Sequence, residues 1–95
     1  MPKLTRTLFL RVKTKYFIEI VERRKKMEYR LYKPYWIKRL VDREYDYLTI
    51  ADAYKPKTNK DSRITFVYNG YELLDLTHTE FGEDPVKVFG IYLED

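Results

Sequence analysis

Lys25, Glu28 and Arg30 are the residues whose types and spacing could support chemistry, and they follow a short segment with an apolar face at 16–21. A compact ammonium and a forked guanidinium both suit phosphate, carboxylate or a base edge. Glu28 could hold the two cations in place or accept a hydrogen bond from a base amino group. Residues two apart share one face of a strand, so Glu28 and Arg30 are expected to converge, with Lys25 approaching from a helix end. This arrangement predicts an anion or nucleotide site; the alternative is a solvated basic helix end with an incidental ion pair.

The bulk composition indicates one small globular domain over residues 1–95, with 44% hydrophobic, 17% aromatic and 36% charged residues. A chain of this size buries only about 60–65% of its unfolded surface, so a small core is expected. The chain has no cysteine and one histidine, His78, which leaves too few thiolate or imidazole ligands for a zinc centre. No cofactor is therefore expected.

The charges are unevenly distributed along the chain. Residues 1–43 hold 14 Lys and Arg against 4 Asp and Glu, whereas residues 44–95 hold 5 against 11. A basic half favours phosphate partners, and the acidic half is a candidate surface for a protein partner; alternatively, the halves pack together and neutralise each other. No run of about 18 apolar residues and no signal-peptide core occur, so a cytoplasmic protein with no membrane partner is expected.

Hydrophobic periodicity predicts six strands and two helices. Alternating segments predict strands at 7–13, 28–32, 45–54, 63–68, 71–76 and 86–93. Helical spacing predicts one helix from 15 to about 24, capped by Thr14, and a second from Pro34 to about 41. Asn69-Gly70 predicts a hairpin between the fourth and fifth strands, and 55–61 has loop composition. We therefore predict an α+β fold, as a small β-barrel of five to six strands with two short helices near the N-terminus; an open α+β sandwich is the alternative.

The segment around the cluster resembles the ASCH domain, a PUA-like β-barrel family. The spacing of Lys25, Glu28 and Arg30 resembles the family motif Gly-x-Lys-x-x-Glu-x-Arg, and the preceding Tyr16-Phe17 and Ile20 add to the likeness. The 33–36 segment, Lys-Pro-Tyr-Trp, is typical of short, phage-type members, and 88–93 resembles their final strand. The resemblance spans most of the chain. It implies a cleft that binds RNA or a modified nucleotide through Lys25, Glu28 and Arg30.

One position departs from the family motif, because Arg23 stands where the glycine is expected. Glycine ends a helix cheaply in the left-handed conformation, so the helix is expected to run on or to end differently. A long cation at the cleft rim then makes Arg23 a further ligand-binding candidate. Tyr35 joins the set because exposed aromatics stack on unpaired bases, as Tyr29, Tyr32 and Trp36 also could. Trp36 is expected to be core.

The resemblance also bears on enzymatic activity. Some relatives hydrolyse acetylated cytidine with a threonine at the position of Glu28, so that activity is not expected here. A ribonuclease activity in the family rests on lysine and tyrosine near the cleft, parts that Lys25 with Tyr29, Tyr32 or Tyr35 could play. The catalytic candidates are therefore Lys25 and Tyr29, together with Glu28 between them. Three functions therefore stay open: an RNA- or nucleotide-binding module, a metal-independent ribonuclease or nucleoside hydrolase, and a phage protein-interaction module that engages a host factor through residues 44–95.

Overall fold

The computed structural model describes residues 5–55, 62–77 and 82–93. Its elements in chain order are β1 (Thr7–Val12), α1 (Thr14–Val21), β2 (Met27–Leu31), α2 (Pro34–Leu40), β3 (Tyr47–Asp52), β4 (Arg63–Val67), β5 (Tyr71–Leu76) and β6 (Val86–Tyr92). The predicted α+β class, with six strands and two early helices, is confirmed. Each predicted strand end lies within two residues of the observed one. His78 and all but the first residue of the predicted loop at 55–61 lie outside the described residues.

The strands form two three-stranded sheets, a first sheet in the order β1-β3-β4 and a second in the order β2-β6-β5. β1 and β3 pair in parallel, and the other three pairs are antiparallel. The parallel pair requires a crossover connection, which α1, β2 and α2 supply. One of the two edge strands of each sheet, β1 in the first and β2 in the second, comes from the basic first part of the chain.

The predicted hairpin at Asn69-Gly70 is wrong, because β4 pairs with β3 and β5 pairs with β6. The turn instead carries the chain from the first sheet to the second. Gly70 adopts a φ of 84°, as such a turn requires. The flanking backbone is held by neighbours in both sheets: the Tyr68 N–H donates to Asp46, and the Gly70 carbonyl accepts from Tyr92.

A single apolar cluster joins both sheets and both helices. The alternation predicted for β1 buries its even-numbered residues, and the same pattern holds along β3 except that Ala51 is also buried. The cluster comprises Leu8, Leu10, Val12, Phe17, Ile20, Leu40, Leu48, Ile50, Phe66, Phe89, Ile91 and Leu93. The two short helices each contribute few buried side chains, so the strands supply most of the core.

Helix α1 ends earlier than predicted and ends as a glycine-capped helix would. Arg23 takes a left-handed φ of 63°. Its N–H donates to the Ile20 carbonyl at 3.1 Å, and the Arg24 N–H donates to the Glu19 carbonyl at 2.9 Å. This pair of hydrogen bonds is the Schellman motif. The expectation that the helix runs on past Arg23 is therefore wrong, and the four cations at 23–26 follow the helix instead of occupying its last turn.

The predicted capping role of Thr14 is also wrong. Thr14 is the first helical residue, and Lys13 holds the cap position without a side-chain hydrogen bond. The Thr14 hydroxyl donates instead to Oδ1 of the buried Asp52 at 2.8 Å, and the Tyr54 N–H donates to the same oxygen at 2.9 Å. The start of α1 is thereby tied to the end of β3.

Candidate nucleotide-binding site

The structure brings Lys25, Glu28 and Arg30 together. Glu28 and Arg30 alternate along β2 and lie opposite the buried Ile91 and Phe89 of β6, which places both on the core side of the second sheet. The tight turn after α1 returns Lys25 to the same place. Lys25 Nζ lies 3.1 Å from Glu28 Oε1, and Arg30 Nη2 lies 3.8 Å from Glu28 Oε2. The strand alternation read from the sequence accounts for this convergence.

The cluster is largely withdrawn from solvent. The side chains of Lys25, Glu28 and Arg30 are 14%, 6% and 21% exposed. Buried charges require compensation, and Glu28 Oε1 receives it from Lys25 and from the Tyr29 N–H at 3.1 Å. Lys25 Nζ also lies 4.5 Å from the ring centroid of Tyr16 and 5.7 Å from that of Tyr29, within reach of cation–π attraction. Lys25 is thus anchored inside the protein.

Arg30 links this cluster to the surface. Its Nη2 donates to the Arg11 carbonyl of β1 at 2.9 Å, and its guanidinium lies 5.2 Å from the ring centroid of Trp36. Arg30 Nε and Glu28 Oε2 are buried and form no hydrogen bond within 5–55, 62–77 and 82–93. The 3.8 Å separation from Nη2 is too long for a hydrogen bond. One donor and one acceptor in the cluster therefore remain to be satisfied.

A cavity of about 280 Å³ opens beside β2 and the start of α2. Its lining consists of Tyr29, Arg30, Leu31, Lys33, Tyr35 and Trp36. The Tyr35 and Trp36 rings meet edge to face at 5.0 Å, and the Arg39 guanidinium lies 3.6 Å from the Tyr35 ring centroid. The volume is slightly below the roughly 300–1,000 Å³ of drug-sized ligand sites. A ligand with one flat ring and an anionic group suits such a lining.

The predicted site residues divide into three groups. Arg30, Tyr35 and Tyr29 line the cavity, whereas Lys25 and Glu28 stand behind Arg30. Arg23 lies apart from them, with its guanidinium 5.2 Å from the ring centroid of Phe66 in β4. Of the catalytic candidates, Lys25 and Tyr29 both contact Glu28 within the buried cluster.

Sequence reasoning missed several contacts. Trp36 was expected to be core, and it does pack against the core, but it also lines the cavity and contacts Arg30. Lys33 in the lining had been singled out only as part of the 33–36 segment, with no binding role assigned to it. The Arg11 carbonyl had no signal, because a backbone acceptor carries no side-chain identity. Tyr32, expected near the cluster, contacts Phe89 and Lys87 instead.

Among the residues whose placement is described, no group of three or more His, Cys, Asp and Glu is arranged to hold a metal ion. None of the helices in that part of the chain has the length and apolar character needed to cross a membrane. Comparison of the chain with protein-family models, curated proteins and solved structures gave no match.

Proposed function

We propose that this chain is an ASCH-type, PUA-like module that binds RNA or a free nucleotide, plain or modified, in the cavity beside β2. Closure of the two sheets into a barrel belongs to the same proposal. The observation that carries it is the lining itself, in which Arg30 and Lys33 accompany Tyr29, Tyr35 and Trp36 around one opening. Unpaired bases stack on exposed aromatic rings, and guanidinium and ammonium groups bind phosphate.

The buried cluster gives this lining a fixed cation. Glu28 lies in ion-pair contact with both Lys25 and Arg30, and the Arg11 carbonyl accepts a hydrogen bond from Arg30 Nη2. Arg30 is therefore oriented before a ligand arrives, which lowers the entropy cost of binding. Since Glu28 Oε2 is buried, Glu28 acts by positioning Arg30, and base reading falls to the groups that line the cavity.

The solvent exposure of the lining side chains assigns them different roles in binding. Tyr35 is 57% exposed and accessible for stacking, with Arg39 against its ring and Trp36 at its edge. Arg30 and Lys33 lie beside these rings and hold the phosphate or ribose oxygens. A base between the aromatic groups and a phosphate at the cations would use both chemistries of the lining.

The test is a titration of purified protein with single-stranded RNA and a panel of plain and modified nucleosides and nucleotides, at two salt concentrations. Trp36 is the only tryptophan in the chain and lines the cavity, so its emission reports occupancy directly. We expect a saturable change in Trp36 emission with a ligand preference that persists at the higher salt concentration.

The variant pair Arg30→Gln and Arg43→Gln separates the cavity from general charge. Arg43 is an exposed arginine after α2 whose side chain contacts only the Lys38 carbonyl among the described hydrogen bonds. Arg30→Gln should weaken binding about tenfold or more, the loss of one charge-assisted contact, and Arg43→Gln should leave it unchanged. Equal losses in both variants, or binding that tracks salt alone, would contradict a cavity site.

A further inference from the structure

The first sheet has an outer face that carries a second set of aromatic and cationic side chains. Alternate residues of its three strands point away from the core, and the strand register arranges them in three rows. The rows are Thr7–Tyr47–Val67, Phe9–Thr49–Thr65 and Arg11–Ala51–Arg63. Both helices contribute their buried residues to the opposite, core side of this sheet.

The apolar groups of this face are exposed. Phe9 and Tyr47 are each 42% exposed, and Val67 is 51% exposed. Phe9 and Tyr47 lie on neighbouring parallel strands, displaced by two residues, so the strand spacing and rise place their Cβ atoms about 8 Å apart. Two open rings at this spacing form a platform on which neighbouring bases can stack.

The charges of this face have one sign. Arg11 and Arg63 flank Phe9, with guanidinium carbons 5.9 and 5.7 Å from its ring centroid. None of the nine positions is acidic. The hydroxyls of Thr49 and Thr65, on β3 and on the edge strand β4, lie 2.9 Å apart, so one donates a hydrogen bond to the other. The hydrogen of the accepting hydroxyl remains available to a ligand.

We propose that this outer face binds single-stranded nucleic acid, with bases stacked on Phe9 and Tyr47 and phosphates attracted by Arg11 and Arg63. A second copy of the chain or another protein would cover the same apolar area, but the two charged residues among these nine positions are both arginines beside Phe9, which favours an anionic partner. The single-stranded form is required, because rings that stand out from a sheet reach only unstacked bases. This surface is distinct from the cavity beside β2 and does not depend on it.

The experiment measures fluorescence anisotropy of labelled decauridylate and decadeoxyuridylate, which differ only in the 2′-hydroxyl, with the full chain. The variant Phe9→Thr/Tyr47→Thr removes both rings but keeps residues suited to strands. We expect a loss in affinity of about fivefold or more for each ring. Phe9→Tyr retains a ring and should restore most of that contribution. A preference for the uridylate would identify RNA through its 2′-hydroxyl, and equal affinity would identify single strands of either kind; both support the proposal.

Val67→Thr is the matched control, because it removes exposed apolar area from the same face without removing a ring. It should leave affinity unchanged. A second pair tests charge: Arg11→Gln should reduce the slope of log affinity against log salt by about 0.7, and Arg43→Gln should not. Thermal melting followed by circular dichroism verifies that each variant is folded.

Three results would overturn the proposal: full affinity after both rings are removed, an equal loss from Val67→Thr, or self-association that the ring variants abolish without any oligonucleotide binding. Nucleotide binding in the cavity is measured separately, by Trp36 emission, on the same protein preparations. Removal of Phe9 and Tyr47 should leave the nucleotide-dependent change in Trp36 emission intact, whereas Arg30→Gln should alter that change and retain decanucleotide stacking on the sheet. Either proposal can therefore fail without the other.

Discussion

Glu28 is a buried carboxylate between two cations, and its burial makes the three charges depend on one another. Lys25 and Arg30 are themselves mostly buried, so the loss of Glu28 would leave two cations without their carboxylate in a poorly solvated place. Arg24 and Glu22, by contrast, form an ion pair at 2.8 Å in which both side chains are at least half exposed. Exposed pairs of this kind contribute little to stability.

The first prediction uses that contrast. Glu28→Gln preserves shape but removes the charge, and we expect it to lower the free energy of unfolding by about 1–3 kcal/mol. The matched Glu22→Gln should change it by less than about 0.5 kcal/mol. Urea titrations of the three proteins measure both effects. Similar values for the two variants would mean that the cluster is an ordinary solvated ion pair.

Arg23 carries a backbone conformation that a side chain disfavours. A left-handed residue with a Cβ costs about 1–2 kcal/mol relative to the right-handed form, and glycine avoids most of that cost. The Arg23 guanidinium contacts the Phe66 ring, so a single substitution would mix backbone strain with loss of this contact. A comparison of two variants that both lack the contact separates the two effects.

The second prediction is that Arg23→Gly is more stable than Arg23→Ala by about 1 kcal/mol. Both variants lose the contact with Phe66, but only glycine relieves the φ of 63°. Chemical denaturation of the pair measures the difference. Equal stabilities, or a more stable alanine variant, would show that the Schellman geometry at this position costs nothing.

Among the elements, local pattern was sufficient for the strands and insufficient for their pairing. Alternation along β1, β3 and β4 is a property of a few consecutive residues, and all six strands could be predicted from it. The hairpin at Asn69-Gly70 could not be excluded from local sequence, because the partners of β4 and β5 are strands distant along the chain. The end of α1 was misjudged because the left-handed conformation of Arg23 is stabilised by the surrounding structure.

The candidate site was predictable only where it depends on local sequence pattern. The convergence of Glu28 and Arg30 follows from strand alternation. The approach of Lys25 to these two residues follows from its position after the end of α1. The Arg11 carbonyl and the Trp36 ring contact Arg30 only because β1 and α2 meet there. The aromatic residues on the outer face of the first sheet likewise become a surface only when three separate strands align.

The turn from the first sheet to the second places tyrosines together. Tyr68 and Tyr45 meet edge to face at 5.3 Å. Burial, with smaller contributions from Tyr71 and Tyr45, raises the pKa of Tyr68 from 10.0 to about 12. The native state therefore retains a proton that the unfolded chain releases between these values. The associated stability is fully present below pH 10 and is lost as the pH rises through about 12.

The third prediction follows from this sign. Between pH 10 and pH 12 the wild-type protein should lose about 1–2 kcal/mol more stability than Tyr68→Phe, a value reduced from the full shift because Tyr68 is only half-buried. Urea titrations at several alkaline pH values measure the difference between the two proteins. Parallel stability curves, with no divergence above pH 10, would contradict an ionisation linked to this turn.

The whole molecule carries two candidate surfaces on either side of β1. Arg11 contributes its carbonyl to the cavity cluster through Arg30 and its guanidinium to the outer face of the first sheet. A strand long enough to pass around β1 would contact both surfaces.

The fourth prediction is a steep dependence of affinity on oligonucleotide length. A uridylate longer than ten nucleotides, able to engage both surfaces at once, should bind at least about 100-fold more tightly than the decanucleotide held by the sheet face alone, because the second contact becomes intramolecular. Phe9→Thr/Tyr47→Thr and Arg30→Gln should each remove most of that gain. Anisotropy across a length series measures the effect. A gain that survives either substitution would mean that the surfaces act independently of one another.

The central claim is that a nucleotide occupies the cavity beside β2, and chemical-shift mapping tests it most directly. Proton–nitrogen spectra of the labelled protein, titrated with uridine monophosphate and with the best ligand of the panel, should show saturable shifts at the Arg30 Nε and the Trp36 indole. The Arg43 side chain should remain unperturbed in the same spectra. Shifts spread evenly over the arginines and suppressed by salt, or none at Arg30 and Trp36 at saturating ligand, would contradict the account.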